Sequence, residues 1–251
     1  MIQNNDERID RVNENILLIQ KTDGLTFGTD ALLLAAFAKK SPKSVALDFG
    51  AGTGIVSFLC AARKKFKKIF AIEAQSDFYD LIIKNIELNS FFEEVSAICK
   101  DVRDLSFNDL GLEADVIFTN PPYMRAGSGK VNDNNYKSIA RHEILGDIND
   151  FCRAAAKNLK HGGLFYAVYR PERMTELLCA MRNAKIEPKR LCMVCPDVDT
   201  PPSLILVEGK KGASPEIKIT KPLIMYTDKS HNDYTSDFSY IYDNGSFKED
   251  R

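Results

Sequence analysis

Residues 44–54 read SVALDFGAGTG, a short apolar run that ends in three glycines spaced one residue apart. The run has the length and composition of a buried β-strand, and a helical pattern follows it from Gly54 to Lys65. Glycines at a strand-to-helix turn let the backbone bend sharply and approach a ligand closely, because no Cβ stands in the way. The stretch therefore predicts the first strand, turn and helix of an α/β fold.

The same alternation of short apolar runs and longer helical patterns continues to residue 209. The other runs that read as strands cover residues 68–73, 95–99, 114–119, 164–169, 190–195 and 203–208, and the other helical patterns cover 76–89, 147–159 and 171–184. Strands that alternate with helices form right-handed βαβ units. We therefore expect a Rossmann-like, mostly parallel seven-stranded sheet with helices on both faces. The last two strands, joined by a short link without a helix, should pair antiparallel.

Two segments flank this predicted core of residues 44–209. Residues 1–43 read as an N-terminal hairpin and a helix, for which Thr29 or Asp30 is a suitable cap. Residues 210–251 form a C-terminal extension with apolar runs that predict an added strand. We expect residues 1–251 to form a single domain.

Charge and hydropathy exclude several classes of protein. The 34 Lys and Arg residues balance 35 Asp and Glu residues, for a formal net charge of −1, so the chain is not a polybasic binder of DNA or membranes. No apolar run approaches the roughly 20 residues that span a bilayer, and the first 15 residues have no apolar signal core. We therefore expect a cytoplasmic protein. The six cysteines and three histidines show no convincing metal spacing, so no bound metal is predicted.

The glycine spacing restricts the ligand that the first turn binds. Gly50, Gly52 and Gly54 follow G-x-G-x-G, whereas a nicotinamide fingerprint needs G-x-G-x-x-G and residue 55 is Ile. Asp48 precedes the glycines, which suits a ligand with an ammonium group and an adenosine better than one with a pyrophosphate. A tight turn in some other α/β enzyme is the alternative.

Acidic residues at the ends of the next two strands fit an adenosine. Glu73 ends the second core strand, about 20 residues past the glycines, where a carboxylate can accept both ribose hydroxyls. Asp101 follows the third core strand and is placed to accept a hydrogen bond from the adenine amino group, with Asp104 as the alternative. The backbone N–H of Val102 would bond the adenine ring.

Asn120-Pro121-Pro122-Tyr123 directly follows the fourth core strand, at the edge where open parallel sheets bind ligands. An exocyclic amine on an aromatic ring, like an amide, is a poor nucleophile because its lone pair is delocalised. The Asn120 side-chain oxygen and the Pro121 carbonyl can accept both N–H groups and favour the pyramidal nitrogen that attacks. The prolines stiffen the turn, and Tyr123 offers a flat face on which the target can stack.

Together these motifs resemble the class I S-adenosylmethionine-dependent methyltransferases whose (N/D)-P-P-(Y/F/W) motif methylates planar amino nitrogens. More closely, the chain resembles the bacterial tRNA adenine-N6 methyltransferases that modify adenine 37, just 3′ of the anticodon, in tRNA1(Val). The matching stretches are residues 27–34, 48–54, 115–123, 140–143, 170–173 and 206–209. The resemblance implies S-adenosylmethionine as the cofactor, with Thr29 and Asp30 near its methionine end. It also implies that Asn120 to Tyr123 hold the target adenine and that Asn120 contacts the cofactor as well.

Cations near the predicted site are the candidate contacts to tRNA. Arg125 and Arg141 lie in the polar stretch after Tyr123, and Arg170 lies at the carboxyl edge. The denser basic group at residues 63–68 ends the first core helix at the opposite edge and reads as a solvated helix end.

The predicted reaction is direct methyl transfer, in which the protein chiefly positions the amine and the methyl group in line. Protein glutamine-N5 and ribosomal RNA guanine-N2 methyltransferases of the same fold are the alternatives, because their target nitrogens pose the same lone-pair problem. A non-catalytic, cofactor-binding RNA chaperone is a more remote alternative. Asp197 and Asp199 lie where basic residues would help to hold RNA, and they leave the RNA target open.

Overall fold

The computed structural model of this chain describes residues 6–22, 28–121 and 146–248. Its strands are β1 (Glu7–Asn13), β2 (Ile16–Lys21), β3 (Ser41–Phe49), β4 (Phe66–Glu73), β5 (Val95–Cys99), β6 (Ala114–Thr119), β7 (Leu159–Tyr169), β8 (Ile186–Cys195), β9 (Leu204–Lys211), β10 (Lys218–Ile219) and β11 (Leu223–Ile224). Its helices are α1 (Thr29–Phe37), α2 (Ile55–Ala62), α3 (Ser76–Asn89), α4 (Phe107–Leu110), α5 (Ile148–Asn158), α6 (Met174–Asn183) and α7 (Ser236–Asn244). Within these ranges no helix has both the length and the hydropathy to cross a membrane.

Nine strands of the described residues form one sheet, in the order β10–β8–β9–β7–β6–β3–β4–β5, with β11 also pairing with β8. Strand β9 runs antiparallel to its two neighbours, and the other pairs in this sheet are parallel. The predicted Rossmann-like sheet and its antiparallel last core strand are therefore confirmed. The sheet exceeds the predicted seven strands because β10 and β11, each two residues long, extend it beside β8.

Apolar side chains alternate along the central strands and build a core on each face of the sheet. On one face, Val116 and Phe118 of β6 pack with helices α1, α2 and α3. On the other face, Ile117 of β6 and Phe165 of β7 pack with α5 and α6. All four side chains are buried, and close packing of this kind holds the strands rigidly. The loops at the carboxyl ends of the strands therefore start from fixed positions.

Two predicted boundaries differ from the structure. The helix predicted over residues 54–65 spans only Ile55–Ala62, because Gly54 and Lys64 have φ angles of +86° and +48°, outside the helical range. The strand predicted over residues 164–169 begins earlier, at Leu159, so that the glycines at residues 162 and 163 lie inside it as part of β7. Gly162 has a φ of +78° there, so it bends the strand rather than preceding it.

Two asparagines on α3 attach the N-terminal hairpin to the core. The Asn85 side chain accepts a hydrogen bond from the Ile19 N–H at 2.6 Å and donates to the Ile19 carbonyl at 3.1 Å. One turn later, Asn89 forms the same pair of bonds with Leu17, at 2.9 and 2.8 Å. Asn85 also donates to the Thr53 carbonyl at 3.2 Å. The two amides thus satisfy backbone N–H and carbonyl groups of β2 that do not bond β1. Asn85 also joins the hairpin to the glycine loop.

We expect Asn85→Ala to lower the free energy of unfolding by about 3 kcal/mol, because Asn85 is fully buried and its loss leaves buried backbone groups unsatisfied. Asn89→Ala is the matched control: it loses an equivalent pair of bonds at a more exposed position, and we expect about 1 kcal/mol or less. Urea denaturation of both variants measures the difference. Equal losses for the two variants would contradict the anchoring role assigned to Asn85.

In the basic segment after α2, residues 63–68, two lysine side chains donate hydrogen bonds to backbone carbonyls. Lys65 is 3% exposed, and its ammonium donates to the carbonyls of Ala35, Ala36 and Ala38 at 2.6 to 3.2 Å. Burial lowers the pKa of Lys65 to about 8. Lys68 donates to the Glu93 carbonyl at 2.7 Å. The prediction of a solvated helix end is therefore wrong for Lys65, which caps the carboxyl end of α1.

Candidate active site

The glycine loop and the Asn120 turn leave the sheet side by side. Strands β3 and β6 are parallel neighbours, and Phe49 lies opposite Thr119 in their register. The Thr119 hydroxyl donates a hydrogen bond of 2.9 Å to the Phe49 carbonyl. Gly50 and Asn120 come next in the chain, so both loops start at the same level of the carboxyl edge. Open parallel sheets bind their ligands at this edge.

All three glycines of the loop adopt backbone conformations that favour glycine. The φ angle is +69° at Gly50, +57° at Gly52 and +86° at Gly54, a region in which a Cβ causes strain. The N–H groups of Gly50 and Ala51 both donate to the Ile72 carbonyl of β4 at 3.0 Å. The G-x-G-x-G spacing therefore reflects a turn that is anchored on the neighbouring strand and bends at each glycine.

The space beside each glycine differs. A Cβ at Gly54 would lie 2.7 Å from the Phe58 ring, so packing requires glycine there. A Cβ at Gly50 would lie 3.5 Å from the Phe151 ring, at ordinary contact distance. A Cβ at Gly52 would have no heavy atom of the described chain within 4 Å, apart from its chain neighbours. Gly52 therefore presents bare backbone to open space, where a ligand can approach closely.

Asp48 is buried and bonds to α2. Its Oδ2 accepts a hydrogen bond of 2.7 Å from the Ser57 hydroxyl and one of 3.2 Å from the Ser57 N–H. Burial raises the pKa of Asp48 to about 7, although both hydrogen bonds act in the opposite direction. In this arrangement the carboxylate faces Ser57 and fixes the turn that carries the glycines. Ser57 is not among the predicted residues, although it is the only hydroxyl in the apolar sequence of α2.

Glu73 ends β4 and connects the glycine loop to the start of α3. Its Oε2 accepts a hydrogen bond from the Gly52 N–H and its Oε1 accepts one from the Gln75 N–H, both at 2.9 Å. The residue is 3% exposed, and burial raises its pKa against the effect of these backbone hydrogen bonds. The carboxylate thus bridges the Gly52 and Gln75 N–H groups beside the glycine loop, and its contact with a ribose stays a prediction.

Asp101 and Val102 follow β5, in which Cys99 lies opposite Glu73. Both carboxylate oxygens of Asp101 accept hydrogen bonds from the Arg103 side chain, at 2.5 to 3.0 Å. Burial alone would raise the pKa of Asp101, but the hydrogen bonds from Arg103 hold it below its usual value. An adenine amino group would therefore share this carboxylate with Arg103, a partner that the sequence did not predict. Val102 is buried beside it.

Asp30 and Asn120 are in direct contact, although 90 residues separate them in sequence. The Asn120 side-chain Nδ2 donates to Asp30 Oδ2 at 3.0 Å. Helix α1 begins at Thr29 with Gly28 in the capping position, so the prediction that Thr29 or Asp30 caps it is wrong. Asp30 Oδ1 instead accepts a hydrogen bond from the Ala31 N–H at 2.9 Å. The start of α1 thus lies against the Asn120 turn.

The other predicted site residues fall into two groups. Pro121, which is buried, comes shortly after the end of β6, and Arg170, which donates to the Ser203 carbonyl at 3.3 Å, directly follows β7. Both therefore lie at the carboxyl edge of the sheet. Tyr123, Arg125 and Arg141 lie outside the described residues.

Known proteins resemble this chain at the level of sequence. The profile of the TRM5/TYW2 methyltransferase domain matches residues 34–128. A tRNA1(Val) (adenine(37)-N6)-methyltransferase of Parabacteroides distasonis is 29% identical over 181 residues, which cover 72% of this chain and 75% of that protein. The protein of the same name from Vibrio cholerae is 26% identical over 187 residues, covering 74% and 76%.

Solved structures resemble the fold. A crystal structure of a predicted O-methyltransferase from Agrobacterium tumefaciens superposes with a TM-score of 0.70 at 21% identity, covering 87% of this chain and 98% of that one. The TYW2 protein of M. jannaschii, crystallised in complex with AdoMet, gives a TM-score of 0.55 at 17% identity, covering 84% and 88%. The chain therefore has the fold of the Rossmann-like methyltransferases, and its predicted resemblance to the bacterial tRNA1(Val) (adenine(37)-N6)-methyltransferases is confirmed.

Proposed function

We propose that this protein transfers a methyl group from S-adenosylmethionine to the exocyclic N6 of an adenine in tRNA, and that the target is adenine 37 of tRNA1(Val). One observation carries the proposal: the glycine loop and the Asn120 turn start side by side, from the paired residues Phe49 and Thr119. A methyl donor at the first loop and an amine at the second would therefore meet at one point.

The residues around the glycine loop fit the cofactor. Gly52 leaves open backbone toward the site, and Glu73 is held beside it to accept the ribose hydroxyls. Asp101 and Val102 follow the next strand at the place proposed for the adenine. Asp48 contributes by fixing the turn through Ser57. When bound, S-adenosylmethionine would supply a methyl group that is already activated on a sulfonium: the N–CH3 bond would form as the S–CH3 bond breaks, with S-adenosylhomocysteine as the leaving group and loss of one amine proton.

Asn120 and Pro121 act on the target amine. The Asn120 Oδ1 and the Pro121 carbonyl each accept one N–H of the adenine amino group, which favours the nitrogen geometry that attacks the methyl group. The base must first be unstacked and turned into the site, and this is cheaper in an anticodon loop than in a duplex. Because the methyl group is already activated, no nucleophilic side chain takes part.

Further assignments belong to the same proposal. Tyr123 stacks on the target base, while Arg125, Arg141 and Arg170 contact the tRNA backbone. Residues 1–251 form one domain, which is supported by the pairing of β10 and β11 with the core strand β8. A tRNA substrate also implies a cytoplasmic location.

A methyl-transfer assay with labelled S-adenosylmethionine tests the proposal and its alternatives together. The substrates are an unmodified tRNA1(Val) transcript, the same transcript with guanine at position 37, ribosomal RNA, and a peptide release factor. We expect label in the first substrate only, recovered as N6-methyladenosine after digestion and mass spectrometry. Label in the release factor or in ribosomal guanine would instead support a glutamine-N5 or a guanine-N2 methyltransferase.

A further inference from the structure

The contact between Asp30 and Asn120 carries information about the orientation of the Asn120 amide. A carboxylate offers only acceptors, whereas an asparagine amide has one face that donates and one that accepts. The Asn120 Nδ2 lies 3.0 Å from Asp30 Oδ2, so the NH2 group faces the carboxylate. The amide oxygen Oδ1 consequently lies on the other side of the amide.

This orientation decides whether Asn120 can bind an amine. The terminal torsion of an asparagine side chain is broad and roughly two-fold, so two amide orientations of similar shape compete. With Oδ1 toward the target, the amide accepts an N–H of the adenine amino group. In the reversed orientation the Asn120 NH2 group faces the adenine amino group. Two donors then oppose each other, and the hydrogen bond between Asn120 and the target is lost. A carboxylate behind the NH2 group selects the first orientation.

The position of Asp30 is fixed by the packing of α1. Leu33 and Leu34 of this helix are fully buried, and the ammonium of Lys65 bonds the carbonyls at the far end of the helix. Asp30 Oδ1 is held by the Ala31 N–H. A carboxylate on a rigid element is a more accurate positioning group than one on a loop.

We propose that Asp30 is a positioning residue that holds the Asn120 amide with its oxygen toward the target amine. The inference rests on the proposed function, since it assigns Asp30 a part in the same reaction. It also differs from the resemblance, which implies a place for Asp30 near the methionine end of the cofactor. A positioning role through Asn120 affects the rate of methyl transfer, whereas a cofactor contact affects cofactor affinity.

The test measures single-turnover methyl transfer to tRNA1(Val) and, separately, the Kd of S-adenosylmethionine by calorimetry. We expect Asp30→Ala to slow transfer about tenfold, the usual scale of one lost hydrogen bond, and to leave the Kd within about threefold. Asp30→Asn keeps an acceptor oxygen and should recover part of the rate. Asp77→Asn is the matched control, because Asp77 also lies in the first turn of a helix but pairs with Lys21; it should leave both quantities unchanged.

A double-mutant cycle separates positioning from a general structural effect. In an Asn120→Ala background, Asp30→Ala should slow transfer by less than about twofold, because the amide that it orients is absent. A full tenfold loss in that background, or a matching loss of cofactor affinity, would overturn the proposal. A wild-type rate for Asp30→Ala would overturn it as well. Failure of the wild-type protein to methylate tRNA would instead refute the proposed function.

Discussion

Replacing Asn120 with Ala should lower the single-turnover rate of methyl transfer by about 10²- to 10³-fold and change the Kd of S-adenosylmethionine by less than about threefold. Removing one well-placed polar group that stabilises a transition state has an effect of this size in other enzymes. The loss appears in the rate because the adenine nitrogen needs an acceptor most as it becomes pyramidal, and interactions that strengthen in the transition state raise the rate of the chemical step.

The contacts of Asn120 indicate why the rate of methyl transfer should fall while the Kd of S-adenosylmethionine stays nearly unchanged. Its NH2 group faces Asp30 at 3.0 Å, and the residue follows β6, whereas Glu73 and Gly52 belong to loops after β4 and β3. The cofactor side of the site therefore keeps its hydrogen bonds in the variant. Rapid-quench measurements with saturating tRNA and cofactor give the rate, and calorimetry gives the Kd.

Asn244→Ala is a suitable control for the same measurements. Asn244 ends α7, where its side chain donates to the Tyr240 carbonyl at 2.9 Å, and it belongs to none of the loops at the glycine turn. It should retain the wild-type rate. A wild-type rate for Asn120→Ala, or a Kd raised as strongly as the rate is lowered, would remove Asn120 from the reaction.

Periodicity and glycine spacing predicted the central sheet because these signals are local. The β-strand at residues 44–49, the three glycines and the helix at residues 76–89 each follow from neighbouring residues and from turn chemistry. The bounds of strands β10 and β11 could not be predicted in this way, because a two-residue strand has no periodicity. Each of them forms only because β8 offers an edge with which to pair.

The site was predicted as a set of residues but not as a set of contacts. Glu73 and Asn120 follow strand ends, which the sequence reveals, whereas the partners of Asp48, Asp101 and Asn120 depend on tertiary packing. One such contact does leave a signal in the sequence. Asn85 is a polar residue on the apolar face of a helix, and such a residue must be hydrogen-bonded when buried. Its bonds to Ile19 and Thr53 meet that requirement.

Replacing Gly52 with Ala should weaken binding of S-adenosylmethionine by about 10- to 100-fold while the protein stays folded. A Cβ at this position meets no heavy atom of the described chain within 4 Å, apart from its chain neighbours, so the native packing tolerates it. The added methyl group instead enters the space assigned to the cofactor, and an overpacked contact costs about 1–3 kcal/mol, or up to about 100-fold in Kd. Calorimetric titration with the cofactor measures the change.

Two other glycines separate this effect from backbone strain. Gly111 has a φ of +68° and equally open surroundings, but it caps α4. Gly111→Ala therefore introduces the same left-handed backbone strain, about 1–2 kcal/mol. Because Gly111 does not belong to the glycine loop, this variant should leave the Kd of S-adenosylmethionine unchanged. Gly54→Ala drives a Cβ to 2.7 Å from the buried Phe58 ring and should lower the melting temperature far more than Gly52→Ala does. If Gly52→Ala binds S-adenosylmethionine as tightly as Gly111→Ala, the open space beside Gly52 is not the cofactor site.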